Sequence, residues 1–455
     1  MARAKRLKRG EDVVRSLFGA ILSGQGRGFY VGLELMALLR GTLEQSGSIL
    51  PAPSDEPLTV LLRSHDFARR LMGEPRYLGA GETEGIEGTL ALDAIAALGR
   101  GLRVPVPGRR RRPGWHGEHF QPFVGELIHY DAVFRRRERD ALMRIDGRGV
   151  FISTERYLFR GAGGLAHAML RSDPDEMRLG RTRAALGRLV SDSGTPLGEL
   201  FASLSARDRG SDQPRRLKEF RDEPEFECLA GLDRESPWVD LLRDGVMQIA
   251  QQPLPSAKIA EALMHWVPYC IARYQADVSY RELDMEPRPI PVDLGSSPSP
   301  IRRRSREVHE QGRSTIVRAL ESHASGIEPD VLESGSKKWK DGARNFFSGT
   351  LAAVGALNAH TGKRYFVMGN ELLEAIVLAL VPGELPFDKF CQDVLYERLD
   401  LVVDRTSSAR CRELGNLNRS DFELNAEMLA GRLEMLGMLV KFSDHTKMVS
   451  VEVGR

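Results

Sequence analysis

The sequence predicts a mainly α-helical protein, with a helical N-terminal region and a C-terminal α+β domain. Three observations carry this. Apolar residues recur at helical spacing through most of the chain before position 285. A stretch rich in proline and serine then breaks all periodicity. In the last part of the chain the apolar pattern changes from a helical period to strict alternation.

The chain has 455 residues, which at roughly 100–200 residues per domain suggests two to four domains. A hydrophobic content of 42% excludes a wholly disordered chain. The 65 basic residues against 63 acidic give a formal net charge of +2, which excludes a uniformly basic nucleic-acid coat but allows local patches. No run reaches the roughly 18 apolar residues of a membrane span, so no membrane partner is expected. Only 11 of the basic residues are lysine and 54 are arginine, a bias of a GC-rich bacterial genome rather than of function. Cys228, Cys270, Cys391 and Cys411 have no CxxC spacing, which argues against structural zinc and an extracellular disulfide framework. Reduced, buried thiols in a cytoplasmic protein are expected.

The N-terminus is basic through Arg9, and then Val13, Val14, Leu17 and Phe18 fall at helical spacing. Glu11, Asp12 and Arg15 interrupt what would be the apolar core of an export signal, so an amphipathic helix docked on the first domain is expected instead. Leu35, Leu38 and Leu39 share a second helical face, and Leu90, Leu92, Ile95 and Leu98 another. Positions 58–62 suit a buried strand or a helix start, and 101–122, with Pro105, Pro107 and Pro113, an exposed loop. Helical spacing returns at 123–143 and continues intermittently to about 204, before a charge-dense break near 205–225. Ile259, Leu263, Trp266, Val267, Ile271 and Tyr274 form a broad apolar helix that Pro268 would kink or split. The clearest boundary is the Pro/Ser-rich stretch 285–300, read as a linker. The expected organisation is a helical platform over 1–284, the linker, a basic helical connector over 301–364 and a terminal domain over 365–455.

In that terminal domain Asn370 is placed to cap a helix bearing Leu372, Leu373, Ile376, Val377 and Leu380. Pro386 starts a second helix and a third runs from about Asn425, ending at Gly437. Met438 to Phe442 and Met448 to Val453 alternate around a polar turn, the pattern of a β-hairpin. Three helices followed by a hairpin, with 429–451 as third helix and wing, resemble a bacterial winged helix-turn-helix domain. The resemblance implies a third helix that enters the DNA major groove. Its expected solvent positions here are Asn425, Glu427, Arg432 and Glu434, preceded by Asp421 and Glu423; carboxylates facing phosphates repel them, so this helix departs from the family pattern.

Arginines supply the nucleic-acid argument. Arg109, Arg110, Arg111 and Arg112 lie beside Trp115, and Arg135, Arg136, Arg137 and Arg139 follow. Arg302, Arg303, Arg304 and Arg306 come directly after the linker. Arg405, Arg410, Arg412 and Arg419 precede the third helix, with Arg432 and Lys441 in the helix and wing. Such clusters can grip a DNA backbone without sequence specificity, with Trp115 and Trp339 stacking on exposed bases. The bland alternative is a solvated face or a docking site for an acidic partner.

Other chemistry is weaker. His116 and His119, completed by Glu118 or His129, would suit zinc, although HxxH spacing is common by chance. Gly161-Ala162-Gly163-Gly164 lacks the GK[ST] of a phosphate loop and reads as a turn. The contiguous Ser64-His65-Asp66 is not a triad, since working triads assemble from separated segments. No catalytic residue and no cofactor is assigned. The segment from Arg344 through the wing resembles, in a general way, accessory subunits of bacterial restriction or anti-phage systems. That resemblance implies a non-catalytic, DNA-associated protein with an ATPase, nuclease or methyltransferase partner. A protein scaffold without DNA binding, or a hydrolase using the histidine cluster, are the alternatives.

Overall fold

The computed structural model describes residues 2–24, 28–52, 161–190, 232–295, 300–333, 337–358, 363–415, 417–442 and 446–451. Helix takes 68% of them, so the fold is mainly α. In chain order the elements begin with α1 (Ala2–Phe18), α2 (Phe29–Ser46), α3 (Ala162–Arg171), α4 (Glu176–Val190), α5 (Pro237–Gln251) and α6 (Ser256–Glu282). Then follow β1 (Ile290–Pro291), α7 (Pro300–Ile327), α8 (Pro329–Glu333), α9 (Lys338–Ala353), α10 (Asn370–Leu380) and β2 (Glu384–Pro386). The chain closes with α11 (Phe387–Lys389, continued by a π-helix Phe390–Tyr396), β3 (Leu401–Val402), α12 (Arg405–Arg410), α13 (Arg419–Met435), β4 (Leu439–Lys441) and β5 (Lys447–Ser450). No described helix is long and apolar enough to cross a membrane. Two compact units form: Met1–Phe29, Ala230–Leu254 and Glu261–Arg455 make the first, and Tyr30–Leu229 with Pro255–Ala260 the second.

In the second unit α2 buries Leu35, Leu38 and Leu39, the face its spacing predicts. The glycine stretch is a helix start: Gly161, at φ 92, is the N-cap of α3, and Gly163 lets α2 approach. A Cβ at Gly163 would lie 2.5 Å from the Glu34 Cβ and 2.6 Å from the Val31 carbonyl oxygen. The Glu34 carboxylate accepts the Gly161 and Gly163 N–H groups at 2.9 Å each, so the chain's own anion occupies this helix terminus. Burial pushes that carboxyl up to about 7, against the lowering effect of those N–H groups. Arg171 donates to the Pro51 carbonyl at 3.1 Å and Arg183 to that of Leu50 at 2.7 Å, tying the end of this segment to α3 and α4.

The first unit departs from the expected order of domains. α1 buries Val13, Val14, Leu17 and Phe18, and it packs on α7 and α9, far along the chain. Gly10 permits this, since an added Cβ would lie 2.5 Å from the Trp339 ring. α6 passes through Pro268 without a break. Within the stretch read as a linker, 290–294 form a buried strap. β1 pairs in parallel with β3 (Ile290 with Leu401, Pro291 with Val402), and Ile290, Val292, Asp293 and Leu294 are buried. Two-residue strands carry no detectable alternation, and the prolines of this stretch hide them further.

The terminal domain follows its sequence closely in part. α10 buries Leu372, Leu373, Ile376, Val377 and Leu380, each contributing roughly 1.5–3 kcal/mol of apolar burial. Its N-cap is Gly369, one residue before the expected Asn370. The hairpin β4–β5 forms as read, and β2 adds a third strand, giving an antiparallel sheet of order β2-β5-β4. α13 begins six residues earlier than expected, at Arg419, capped by the Asn418 side chain accepting the Ser420 N–H at 3.2 Å. Ile301 of α7 joins Val402, Cys411, Leu414 and Phe422 in one apolar cluster.

Candidate functional site

The terminal domain presents two faces of α13 with opposite roles. Phe422, Leu429 and Leu433 face the core, and so do two polar residues read from the sequence as solvent positions. Asn425 is fully buried: its Oδ1 accepts the Leu294 N–H at 2.9 Å, and its Nδ2 donates to the Val292 and Val403 carbonyls at 2.8 and 3.2 Å. Arg432 donates to the Met368 carbonyl at 2.6 Å and the Leu294 carbonyl at 2.9 Å, and burial lowers its pKa. These two side chains clasp the strap 292–294. Arg432 is therefore committed to the fold and is removed from the candidate DNA contacts.

The outward stripe of α13 carries Leu424, Glu427, Glu434 and Met435, at i, i+3, i+10 and i+11, with Glu423 beside it. Met435 is 76% exposed and Phe442, just past β4, 66%. Leu424 and Val440 are exposed as well. The cations nearby are bound to this acid: Arg405 lies 2.5 Å from Glu423, and Lys441 2.6 Å from Glu434. The face is apolar and acidic, and its two nearest predicted DNA contacts are neutralised within the domain.

The remaining predicted cations divide. Arg302 bonds the buried Asp293 at 2.5 Å and lies 4.9 Å over the Tyr365 ring; the Asp293 hydrogen bond raises its pKa. Arg304 bridges Glu307 at 2.9 Å and Glu413 at 2.8 Å. Arg410 pairs with Glu397 at 2.5 Å and covers the Tyr396 ring. Arg303 is 85% exposed, with only a loose 3.4 Å pair to Glu307. Arg412 and Arg419 are also exposed, and Arg306 is half-buried. The Glu413 pair links Arg304 of α7 to the segment that carries Arg412.

Trp339, read as a stacking platform, is buried against Gly10 and is not available to a base. Arg109, Arg110, Arg111, Arg112, Arg135, Arg136, Arg137, His116, His119, His129 and Trp115 lie outside the described residues. Among the described residues no group of three or more His, Cys, Asp or Glu could hold a metal ion. Cys270, Cys391 and Cys411 are free and buried. Sequence reasoning missed Leu424, Met435, Val440 and Phe442, although the exposure of the first two follows from the helical period once α13 starts at Arg419. Compared with known proteins, the chain matches no family model, no curated protein and no solved structure.

Proposed function

We propose that the chain is a non-catalytic accessory protein whose terminal domain is a winged helix that docks a protein partner. The order α10, β2, α11, β3, α12, α13, β4, β5 with sheet order β2-β5-β4 supports the winged-helix reading, with β3 and α12 as an insertion before its third helix. The observation that carries the docking is the outward face of α13 and the wing. Leu424, Met435, Val440 and Phe442 offer an exposed apolar contact, and Glu423, Glu427 and Glu434 would repel phosphate. Following the resemblance to restriction and anti-phage accessory subunits, the partner would be an ATPase, nuclease or methyltransferase subunit of a bacterial DNA-processing complex.

One observation favours a second reading, backbone contact with DNA at a different place. Four arginines fill the first two turns of the 28-residue α7, at the positive end of its dipole, and Arg303 remains exposed there with Arg412 and Arg419 elsewhere on the unit. In this reading DNA lies against the start of α7 and the partner on the wing.

A photo-crosslinking amino acid placed at Phe442 or Leu424 in the native cell tests the docking. A discrete protein adduct, absent when the crosslinker replaces the exposed Glu371, is the expected result. A nuclease-sensitive adduct would turn the wing toward DNA and overturn the reading, as would no adduct at either position.

A further inference from the structure

The outward stripe of α13 has the spacing of a helix seam. Ser420, Leu424, Glu427, Gly431 and Glu434 follow one another at alternating steps of four and three residues, the pattern that keeps one line of a helix against another helix. Met435 flanks the end of this line, and the Lys441–Glu434 pair at 2.6 Å brings the wing strand β4 beside it. Four of the six large apolar side chains exposed among the described residues belong to the seam and the wing, so the surface that seeks cover is concentrated here.

Two residues of the seam have no task inside the fold. Gly431 lies within α13, where glycine is the poorest helix former after proline, yet a Cβ there would meet nothing within 4 Å. Its bare backbone leaves a notch between Leu424 and Met435. Glu427 is exposed and takes part in no ion pair among the described residues, whereas Glu423 and Glu434 are held by Arg405 and Lys441. A notch and an unpaired carboxylate one turn apart suit a knob and a cation arriving together from outside.

The free edge of β4 is a poorer place for a partner: it is three residues long and carries Lys441, two features that discourage strand addition. Resting on the docking proposed above, we infer that the partner's docking element is an amphipathic α-helix lying along α13, with a large apolar side chain over Gly431 and a Lys or Arg against Glu427. The close approach that glycine permits supplies the packing, and the cation fixes the register.

A photo-crosslinking amino acid placed in turn at Leu424 and Met435 of the full chain, in the native cell, reads the geometry of the partner segment. The two positions are 11 residues apart on α13, about 16 Å along its axis. A partner helix should be labelled at two sites roughly 11 residues apart with a Lys or Arg between them, whereas an extended segment covers that distance in about five residues. Gly431→Leu should cut the adduct yield roughly tenfold, and Glu427→Arg should lower it by a similar factor. Gly431→Leu should at the same time keep or raise Tm, because the position is open and leucine favours helix, so the loss is not unfolding. Sites about five residues apart, no cation between them, or a yield unchanged by Gly431→Leu would overturn the helix and leave the docking in place. No protein adduct at either position would overturn the docking itself, and this inference with it.

Discussion

The clasp of α13 and the pair Arg273 and Asp277 on α6 each bury an arginine and a short polar side chain, and they differ in where the hydrogen bonds go. In the clasp, Asn425 and Arg432 make five bonds to backbone groups of the strap and its neighbours. On α6 the partners are side chains: Arg273 donates to Asp400 at 3.1 Å and lies 4.7 Å over the Trp238 ring, and Asp277 is hydrogen-bonded by the Ser236 hydroxyl. A buried polar group paired with backbone holds a fold together, because removing it strands groups that cannot turn to water. One paired with side chains leaves behind partners that can change rotamer. The same substitution type should therefore act with different strength at the two places.

The largest effect is expected at Asn425. Asn425→Leu leaves the Leu294 N–H and the Val292 and Val403 carbonyls buried without partners, and urea unfolding should show a loss of roughly 4 kcal/mol. A loss under about 1 kcal/mol would mean the strap is held by its apolar residues alone.

Opposite pH responses should distinguish the two units. Glu34 has a folded pKa raised by burial from 4.5 to about 7, so its contribution is complete below pH 4.5 and lost as pH rises through 7, by roughly 3 kcal/mol. His309, buried with its Nε2 3.0 Å from the Ser348 hydroxyl, is pushed by burial from 6.5 down to about 4. Its contribution is present above pH 6.5 and lost as pH falls through 4, by a similar amount. Hydrogen exchange should accordingly speed up in α2 and α3 between pH 5 and 8, after correction for the intrinsic rate, and in α7 between pH 6.5 and 4. Glu34→Ala should remove the first response and His309→Gln the second.

Arg432→Met should cost roughly 2 kcal/mol, since two strap and loop carbonyls lose their donor. Asp277→Asn sits at the other end of the comparison. It relieves a desolvated charge and keeps an oxygen that can accept from the Ser236 hydroxyl, so Tm should change by the equivalent of less than about 1 kcal/mol.

What the sequence revealed was local. The hairpin 438–450, the apolar faces of α1, α2 and α10 and the helix-ending role of Gly437 depend on residues close to one another in the chain. What it concealed was paired at a distance. β1 and β3 are two residues each and are defined only by each other. α1 meets α7 and α9 some three hundred positions away. Asn425 and Arg432 look like the polar face of a helix because periodicity counts polarity and cannot see that the strap supplies carbonyls to receive them. The Arg304–Glu413 pair was hidden for the same reason, so an arginine run that reads as free charge is partly spent inside the fold.

If α13 faces a protein and any DNA lies elsewhere, charge changes at the two places should act differently on DNA. The direct measurement is fluorescence anisotropy of labelled duplex DNA with the full chain across a salt series, comparing Glu423→Gln/Glu427→Gln with Arg303→Glu/Arg412→Glu. Whatever salt-sensitive binding exists should fall on reversing the arginines and stay unchanged on neutralising the glutamates. A rise of roughly tenfold on neutralising the glutamates would put α13 against phosphate and contradict this placement.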